Sequence, residues 1–191
     1  MPNIVSLIQW PQSNAIRRNA YYRVVTDFVE DLQNGYNGTN YDTIRLTGHS
    51  LGGGIGAITA AQTGAYAVGM SSPTPILSRN TFHPPLTLEQ AEAGFFNVLP
   101  KRDYVGRIGG RSLFTQEIEC RAPKGDPFAC HYKWQTVCEI QFKCGSNGRP
   151  VLCDCVDYFY FPPPLPINGT NHRTFQEACA AEKELFRLDS A

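Results

Sequence analysis

The chain has 191 residues, of which 42% are hydrophobic and 18% are charged. This is the composition of one ordinary globular domain rather than of a disordered chain. Its 17 Lys and Arg residues balance its 17 Asp and Glu residues, so the charge gives no reason to expect nucleic acid as a partner. We expect no transmembrane segment and recognise no signal peptide, because the sequence has neither a bilayer-length apolar run nor a basic start followed by a long apolar stretch.

A helix is the first long element that the sequence predicts, over residues 14–34, and Gly35 is a natural end for it. Its apolar side chains recur at steps of three and four residues, so we expect one buried stripe. The stripe consists of Tyr21, Val24, Val25, Phe28 and Leu32.

The motif Gly48-x-Ser50-x-Gly52 lies between a predicted strand at residues 41–47 and a small-residue helix at residues 55–62. A sharp turn from strand to helix exposes the serine hydroxyl at the top of a sheet, as a nucleophile requires. We expect side chains in place of either glycine to clash where the chain folds back. The alternative is a tight turn with a solvent-facing serine.

Two residues beside the serine belong to the same predicted turn. The helix begins at the nucleophile, so the backbone N–H of Leu51 is a candidate donor to an oxyanion. His49 would point to the opposite side of the elbow. We therefore assign Leu51 and His49 to the oxyanion and substrate-binding part of the site, with His49 as a packing residue rather than a base.

Two further strands are predicted at residues 65–70 and 94–99, with a surface helix at residues 87–93 between them. Strand, helix and strand in this order form a parallel βαβ unit, which predicts an α/β fold with a mostly parallel sheet. Asp103 comes just after the third strand, at the sheet edge where functional sites gather.

The last third of the chain is less regular. We predict a strand at residues 112–120, then an irregular segment at residues 120–155 with an apolar piece at residues 137–142. A stiff Pro-rich linker follows at residues 161–166, and an amphipathic helix at residues 174–188.

Six of the seven cysteines lie in the irregular segment, and Cys179 is in the predicted C-terminal helix. We prefer disulfides over a zinc site, because no C-x-x-C pair occurs. Sequons begin at Asn37 and Asn168, and both features suit a secreted or lumenal glycoprotein. No signal peptide is recognisable, and one interpretation that reconciles these observations is that the chain is the distal part of a longer protein. The six cysteines of the irregular segment are Cys120, Cys130, Cys138, Cys144, Cys153 and Cys155.

Residues 47–53 resemble the nucleophile elbow of the class 3 (fungal-type) lipases, which are α/β-hydrolases. Residues 67–73 are similar to the next strand and turn of that family, and residues 97–108 to its segment with the catalytic aspartate. The resemblance covers residues 5–135 and implies a partial α/β-hydrolase fold.

The resemblance also divides the chain. Residues 1–135 correspond to the C-terminal part of a lipase-like domain, and residues 136–191 are a cysteine-rich extension with the linker and the last helix. The family has a loop that supplies a second oxyanion donor, and we find no such turn before the elbow strand. The apolar residues 4–10 are a candidate for lipid contact.

The acid is assigned from the order of catalytic residues in α/β-hydrolases, which is Ser, then Asp or Glu, then His. With Ser50 as the nucleophile, Asp103 is preferred over Asp126, which lies in a Lys-Gly-Asp-Pro turn. The alternative is a surface aspartate paired with Arg102 or Lys101.

The base is assigned among four histidines. His83 precedes Asp103 and so breaks the order, and His49 is on the elbow itself. Of the other two, we prefer His131 over His172, because the cysteine beside His131 could pin its loop and hold a base in position.

The sequence therefore predicts a serine ester hydrolase that resembles the class 3 lipases. It would cleave acylglycerols or related lipid esters at a lipid–water interface, through a Ser-His-Asp triad and an acyl-enzyme, with no cofactor or metal. Two alternatives stay open. One is a non-catalytic or truncated module that keeps the elbow for structure, and the other is an esterase for non-lipid substrates such as feruloyl esters.

Overall fold

The computed structural model of the chain describes residues 20–39, 41, 43–144, 153–157, 159 and 161. The predictions for residues 4–10, for the linker beyond residue 161 and for the helix at residues 174–188 lie outside the described residues. Three further predicted positions lie outside them as well, namely Asn168, His172 and Cys179.

Within the described part of the chain, four parallel strands form one sheet, in the same order as along the chain. They are β1 (Arg45–His49), β2 (Tyr66–Met70), β3 (Phe95–Pro100) and β4 (Thr115–Ile118). In the register of the sheet, His49 lies beside Met70, and Met70 lies beside Val98. The carboxyl ends of the first three strands therefore meet at one edge, where sites in parallel sheets gather.

The described α-helices are α1 (Tyr21–Gln33), α2 (Leu51–Thr63), α3 (Leu88–Ala93), α4 (Lys133–Cys144) and α5 (Cys153–Asp157). Helix α2 packs on β1 and β2, and α1 packs on α2. The predicted α/β class is confirmed at this level, as a parallel sheet with flanking helices. No helix among the described residues is long and apolar enough to cross a membrane.

The core between α2 and the sheet is built mainly from small side chains. Ala57 and Ala60 of α2 pack with Ala67 of β2, with Phe95 of β3 and with the partly buried Leu46. Small side chains such as these allow a close approach of the helix to the sheet. The glycine- and alanine-rich sequence of α2 therefore fits a helix that is pressed onto the sheet.

The buried stripe predicted for α1 is wrong. Three of its members are more than half exposed, namely Tyr21, Val24 and Phe28. The helix instead turns Thr26 toward Thr59 of α2, and the two hydroxyl oxygens lie 3.3 Å apart. The tightly packed surface of α2 favours contact through small side chains that also hydrogen-bond. The buried residues of α1 are Tyr22, Thr26 and Val29.

The cysteine-rich segment is more regular than predicted, because the apolar piece at residues 137–142 belongs to helix α4. Two disulfides join Cys120 to Cys130 and Cys138 to Cys155, and Cys153 is also disulfide-bonded. The prediction of disulfides is confirmed for these cysteines. The second bridge ties α4 to α5, so the helix is held by a covalent contact that periodicity does not reveal.

Candidate active site

Ser50 occupies the turn between β1 and α2 with a backbone conformation that is rare for a side-chain-bearing residue. Its φ is 55° and its ψ is −128°, and its N–H donates to the carbonyl of Met70 at 3.0 Å. Positive φ at a non-glycine residue is strained and persists where the surroundings enforce it. This is the strand-to-helix elbow that the motif predicted.

The glycines around Ser50 have different roles. A Cβ on Gly48 would lie 2.4 Å from the carbonyl carbon of Gly52. A Cβ on Gly53 would lie 1.8 Å from Oγ of Ser72 and 2.7 Å from the carbonyl oxygen of Gly48. A Cβ on Gly52 would meet nothing within 4 Å. The expected clash is therefore wrong for Gly52, and Gly53 is the second glycine on which the close packing depends.

The structure brings together the three side chains that the sequence predicted as nucleophile, base and acid. Nε2 of His131 lies 2.9 Å from Oγ of Ser50. Nδ1 of the same ring lies 3.2 Å from each carboxylate oxygen of Asp103. An Nδ1–H that donates to the carboxylate leaves Nε2 as the acceptor for the serine hydroxyl. This is the hydrogen-bond order of a Ser-His-Asp arrangement.

Asp103 is completely buried and follows β3 directly. Its Oδ1 accepts hydrogen bonds from the backbone N–H groups of Val105 at 2.9 Å and Gly106 at 3.3 Å. These donors offset part of the cost of burying a carboxylate. They also fix the carboxylate in the orientation that faces His131.

The contacts of the neighbouring cations do not support the interpretation of Asp103 as a surface aspartate paired with one of them. Arg102 donates to the carbonyls of Cys120 and Ala122, and Lys101 pairs with Glu119. The hydrogen bond with Glu119 raises the pKa of Lys101, and the same contact lowers the pKa of Glu119. Neither cation contacts Asp103, so the interpretation as a surface ion pair is wrong.

Asp126 is the other candidate for the acid, and His83 is a histidine that the order of catalytic residues excludes as the base. Asp126 is exposed, and its carboxylate accepts the N–H of Phe128 within its own turn. His83 is exposed in the loop before α3.

His131 lies at the end of a single 3-10 turn, Ala129–His131. Its N–H donates to the carbonyl of Phe128 at 2.8 Å, and the preceding residue, Cys130, is bonded to Cys120. Arg102 in turn holds the carbonyl of Cys120 at 3.0 Å. The loop with His131 is thus tied to the segment that follows β4, as expected for a base pinned by a neighbouring cysteine.

His49 has a partner that the sequence did not indicate. Its Nε2 lies 2.7 Å from the carbonyl oxygen of His131, and the two imidazole rings are 4.9 Å apart between centroids. The ring of His49 therefore packs against His131 and contacts its backbone carbonyl. The prediction that it packs near the substrate-binding part of the site stays a prediction.

Leu51 opens α2, and its side chain is 65% exposed at the mouth of an apolar groove. The groove has a volume of about 470 Å³, a size that holds a small organic molecule. Sequence reasoning missed its lining, although the spacing of Leu51, Ile55 and Ile58 places three apolar side chains on one helix face. Its other main walls are Pro73, Leu77, Phe82 and Ile108.

The described residues contain no group of three or more His, Cys, Asp or Glu side chains that could hold a metal ion. No protein-family model matches the sequence, and no curated protein is significantly similar to it. The lipase resemblance therefore stays a prediction, and the chemistry has to be argued from the geometry of the site.

We expect Gly53→Ala to lower the free energy of unfolding by about 1–3 kcal/mol, because the new methyl overpacks the elbow. Gly52→Ala is the matched control. It should leave stability unchanged or raise it by up to about 1 kcal/mol, because alanine is the better helix former and meets no obstacle. Urea unfolding of both variants checks this, and equal losses of stability would contradict the packing argument.

Replacing Cys120 and Cys130 together by alanine should lower the free energy of unfolding by about 3 kcal/mol. The bridge closes a loop and so restricts the conformations of the unfolded chain, and the two alanines remove this restriction. Amide hydrogen exchange at residues 128–132 should also become faster. The control replaces Cys138 and Cys155, whose bridge joins α4 to α5 and does not link the loop of His131 to the segment after β4. Exchange at residues 128–132 that responds equally to both double variants would argue against a specific role for the first bridge.

Proposed function

We propose that the protein is a serine ester hydrolase of the class 3 lipase type, built on part of an α/β-hydrolase fold. The observation that carries the proposal is the continuous hydrogen-bonded chain from Ser50 through His131 to Asp103. A non-catalytic module that keeps the elbow for structure needs neither a buried carboxylate nor an imidazole aligned on the serine. The assembled chain therefore favours an enzyme over that alternative.

In the proposed reaction, Oγ of Ser50 attacks the ester carbonyl carbon while Nε2 of His131 takes the hydroxyl proton. Asp103 stabilises the imidazolium that forms and keeps the ring aligned. His131 then gives the proton to the leaving alcohol, and the acyl group stays on Ser50. Attack of water on the acyl-enzyme, assisted by the same imidazole, releases the carboxylic acid and restores the serine.

The negative charge that develops on the carbonyl oxygen needs donors that are already in place. The N–H of Leu51 is the first amide of α2, where the helix leaves its N–H groups without helical partners. The positive end of the helix dipole adds to its effect. We therefore assign the first oxyanion donor to Leu51.

The groove beside Leu51 supports a lipid acyl chain as the group that is transferred. Its walls are mainly aliphatic and aromatic side chains, and it begins at the residue next to the nucleophile. Burial of each methylene in such a groove contributes about 0.8 kcal/mol. An apolar groove at this place favours acylglycerols or related lipid esters over small polar esters.

A secreted or lumenal location fits the same proposal. The disulfides of the described residues persist in oxidising compartments and are rare in the cytosol. Asn37, which begins a sequon, is exposed in a short turn after α1 and is sterically free to carry a glycan.

Fluorophosphonate labelling tests the proposed nucleophile. We expect one adduct on Ser50 by peptide mapping and none in Ser50→Ala. Asp103→Asn should label about 10³- to 10⁴-fold more slowly, because the amide no longer accepts the Nδ1 proton and the imidazole takes the wrong tautomer.

Asp126→Asn is the matched control for the acid, because this carboxylate lies in its own turn, and it should label at the wild-type rate. A folded wild-type chain that gives no adduct would contradict the proposal. Equal rates for the two aspartate variants would remove Asp103 from the mechanism.

The groove predicts a dependence on acyl chain length. Ile58→Trp fills the space along α2, so kcat/KM for an octanoyl ester should fall by about 10-fold or more relative to an acetyl ester. Val24→Trp, on the exposed face of α1, is the control and should leave this ratio unchanged. An unchanged ratio in Ile58→Trp would exclude this groove as the acyl site.

A further inference from the structure

We propose that His49 is a positioning residue that holds the main chain of His131 at a fixed distance from the elbow. The inference rests on the proposed function, because it concerns how the base is held on the nucleophile. It gives a specific task to a histidine that is next to the nucleophile and is not itself the base.

The contact between the two histidines has a defined direction. The oxygen of a backbone carbonyl can only accept a hydrogen bond. Nε2 of His49 therefore carries a hydrogen and donates the hydrogen bond to the carbonyl oxygen of His131. At 2.7 Å the hydrogen bond is short. The rings lie 4.9 Å apart and are tilted by 38°, so packing of the rings adds to the same contact.

Two hydrogen bonds thus join the same two pieces of chain. One runs between the hydroxyl of Ser50 and the ring of His131. The other runs from the ring of His49 to the carbonyl of His131. Because His49 and Ser50 are adjacent, the base is attached to the elbow through its side chain and through its main chain. With a single attachment through the ring, the carbonyl of His131 would have no hydrogen bond to the elbow.

The donor is itself mounted on a rigid element. His49 is the last residue of β1 and pairs in register with Met70 of β2. Asp103 orients the ring of His131, and the bridge at Cys130 holds the residue before it. His49 adds a restraint on the carbonyl of His131. This division of roles predicts that loss of His49 changes the rate of proton transfer rather than substrate binding.

The test compares His49→Leu, which removes the donor, with His49→Gln, which keeps an N–H donor at similar reach. For each variant we would measure the rate constant of fluorophosphonate labelling and the fraction of protein labelled at the end point. We would also measure kcat and KM for the octanoyl ester. His49→Leu should label about 10- to 100-fold more slowly, with a complete end point, since a misplacement of about 1 Å can cost about 100-fold in rate and a smaller one costs less. The kcat of His49→Leu should fall by a similar factor, while its KM changes by less than about 2-fold. His49→Gln should recover most of the rate.

His83→Leu is the matched control, an exposed histidine that should label as the wild type does. His49→Leu at the wild-type rate would overturn the inference, as would His49→Gln that is as slow as His49→Leu. A reduced end point with an unchanged rate constant, accompanied by a lower unfolding temperature, would mean that His49 only stabilises the fold, which also overturns it. A wild-type protein that does not label would overturn the proposed function instead, and this inference with it.

Discussion

The steric fit around Ser50 is the constraint on which the rest of the site depends. Strand β1 and helix α2 approach so closely that Gly48 and Gly53 have no room for a Cβ. Ser50 makes this turn at positive φ, a strained conformation that persists where the surroundings enforce it. The strain is offset by the sheet on one side and the alanine-rich core on the other. The half-buried serine of the turn and the helix N-terminus beside it therefore have one common cause.

The buried carboxylate of Asp103 has hydrogen-bond partners for both of its oxygens. A carboxylate at the fully buried position of Asp103 would be costly in isolation. Its partners are two backbone amides, from Val105 and Gly106, and the ring of His131. Two of these donors come from the turn that Asp103 itself begins, so the sequence after β3 sets the orientation of the carboxylate. The imidazole adds the third and is oriented by the same contact.

The sequence predicts what depends on local rules and misses what depends on the approach of distant segments. The elbow at Ser50 follows from a short motif between a strand and a helix, and Asp103 follows from its place after a strand. The assignment of His131 as the base follows from elimination among four histidines. By contrast, the exposed Phe28 on α1 reflects the surface of the partner helix, which periodicity along one helix cannot indicate. The contact of His49 with His131 joins residues far apart in the chain, and no pattern near either one marks it.

Helix α2 serves both parts of the proposed reaction, and its sequence explains how. In the proposed reaction its first amide, at Leu51, would donate to the oxyanion, so this donor would be in place as soon as the helix forms. The same helix presents Leu51, Ile55 and Ile58 to the groove and its alanines to the sheet. An acyl chain in the groove would thus be aligned along the element that also carries the oxyanion donor. Carbonyl and chain would then be positioned by one rigid body, which lowers the orientational cost of attack by Ser50.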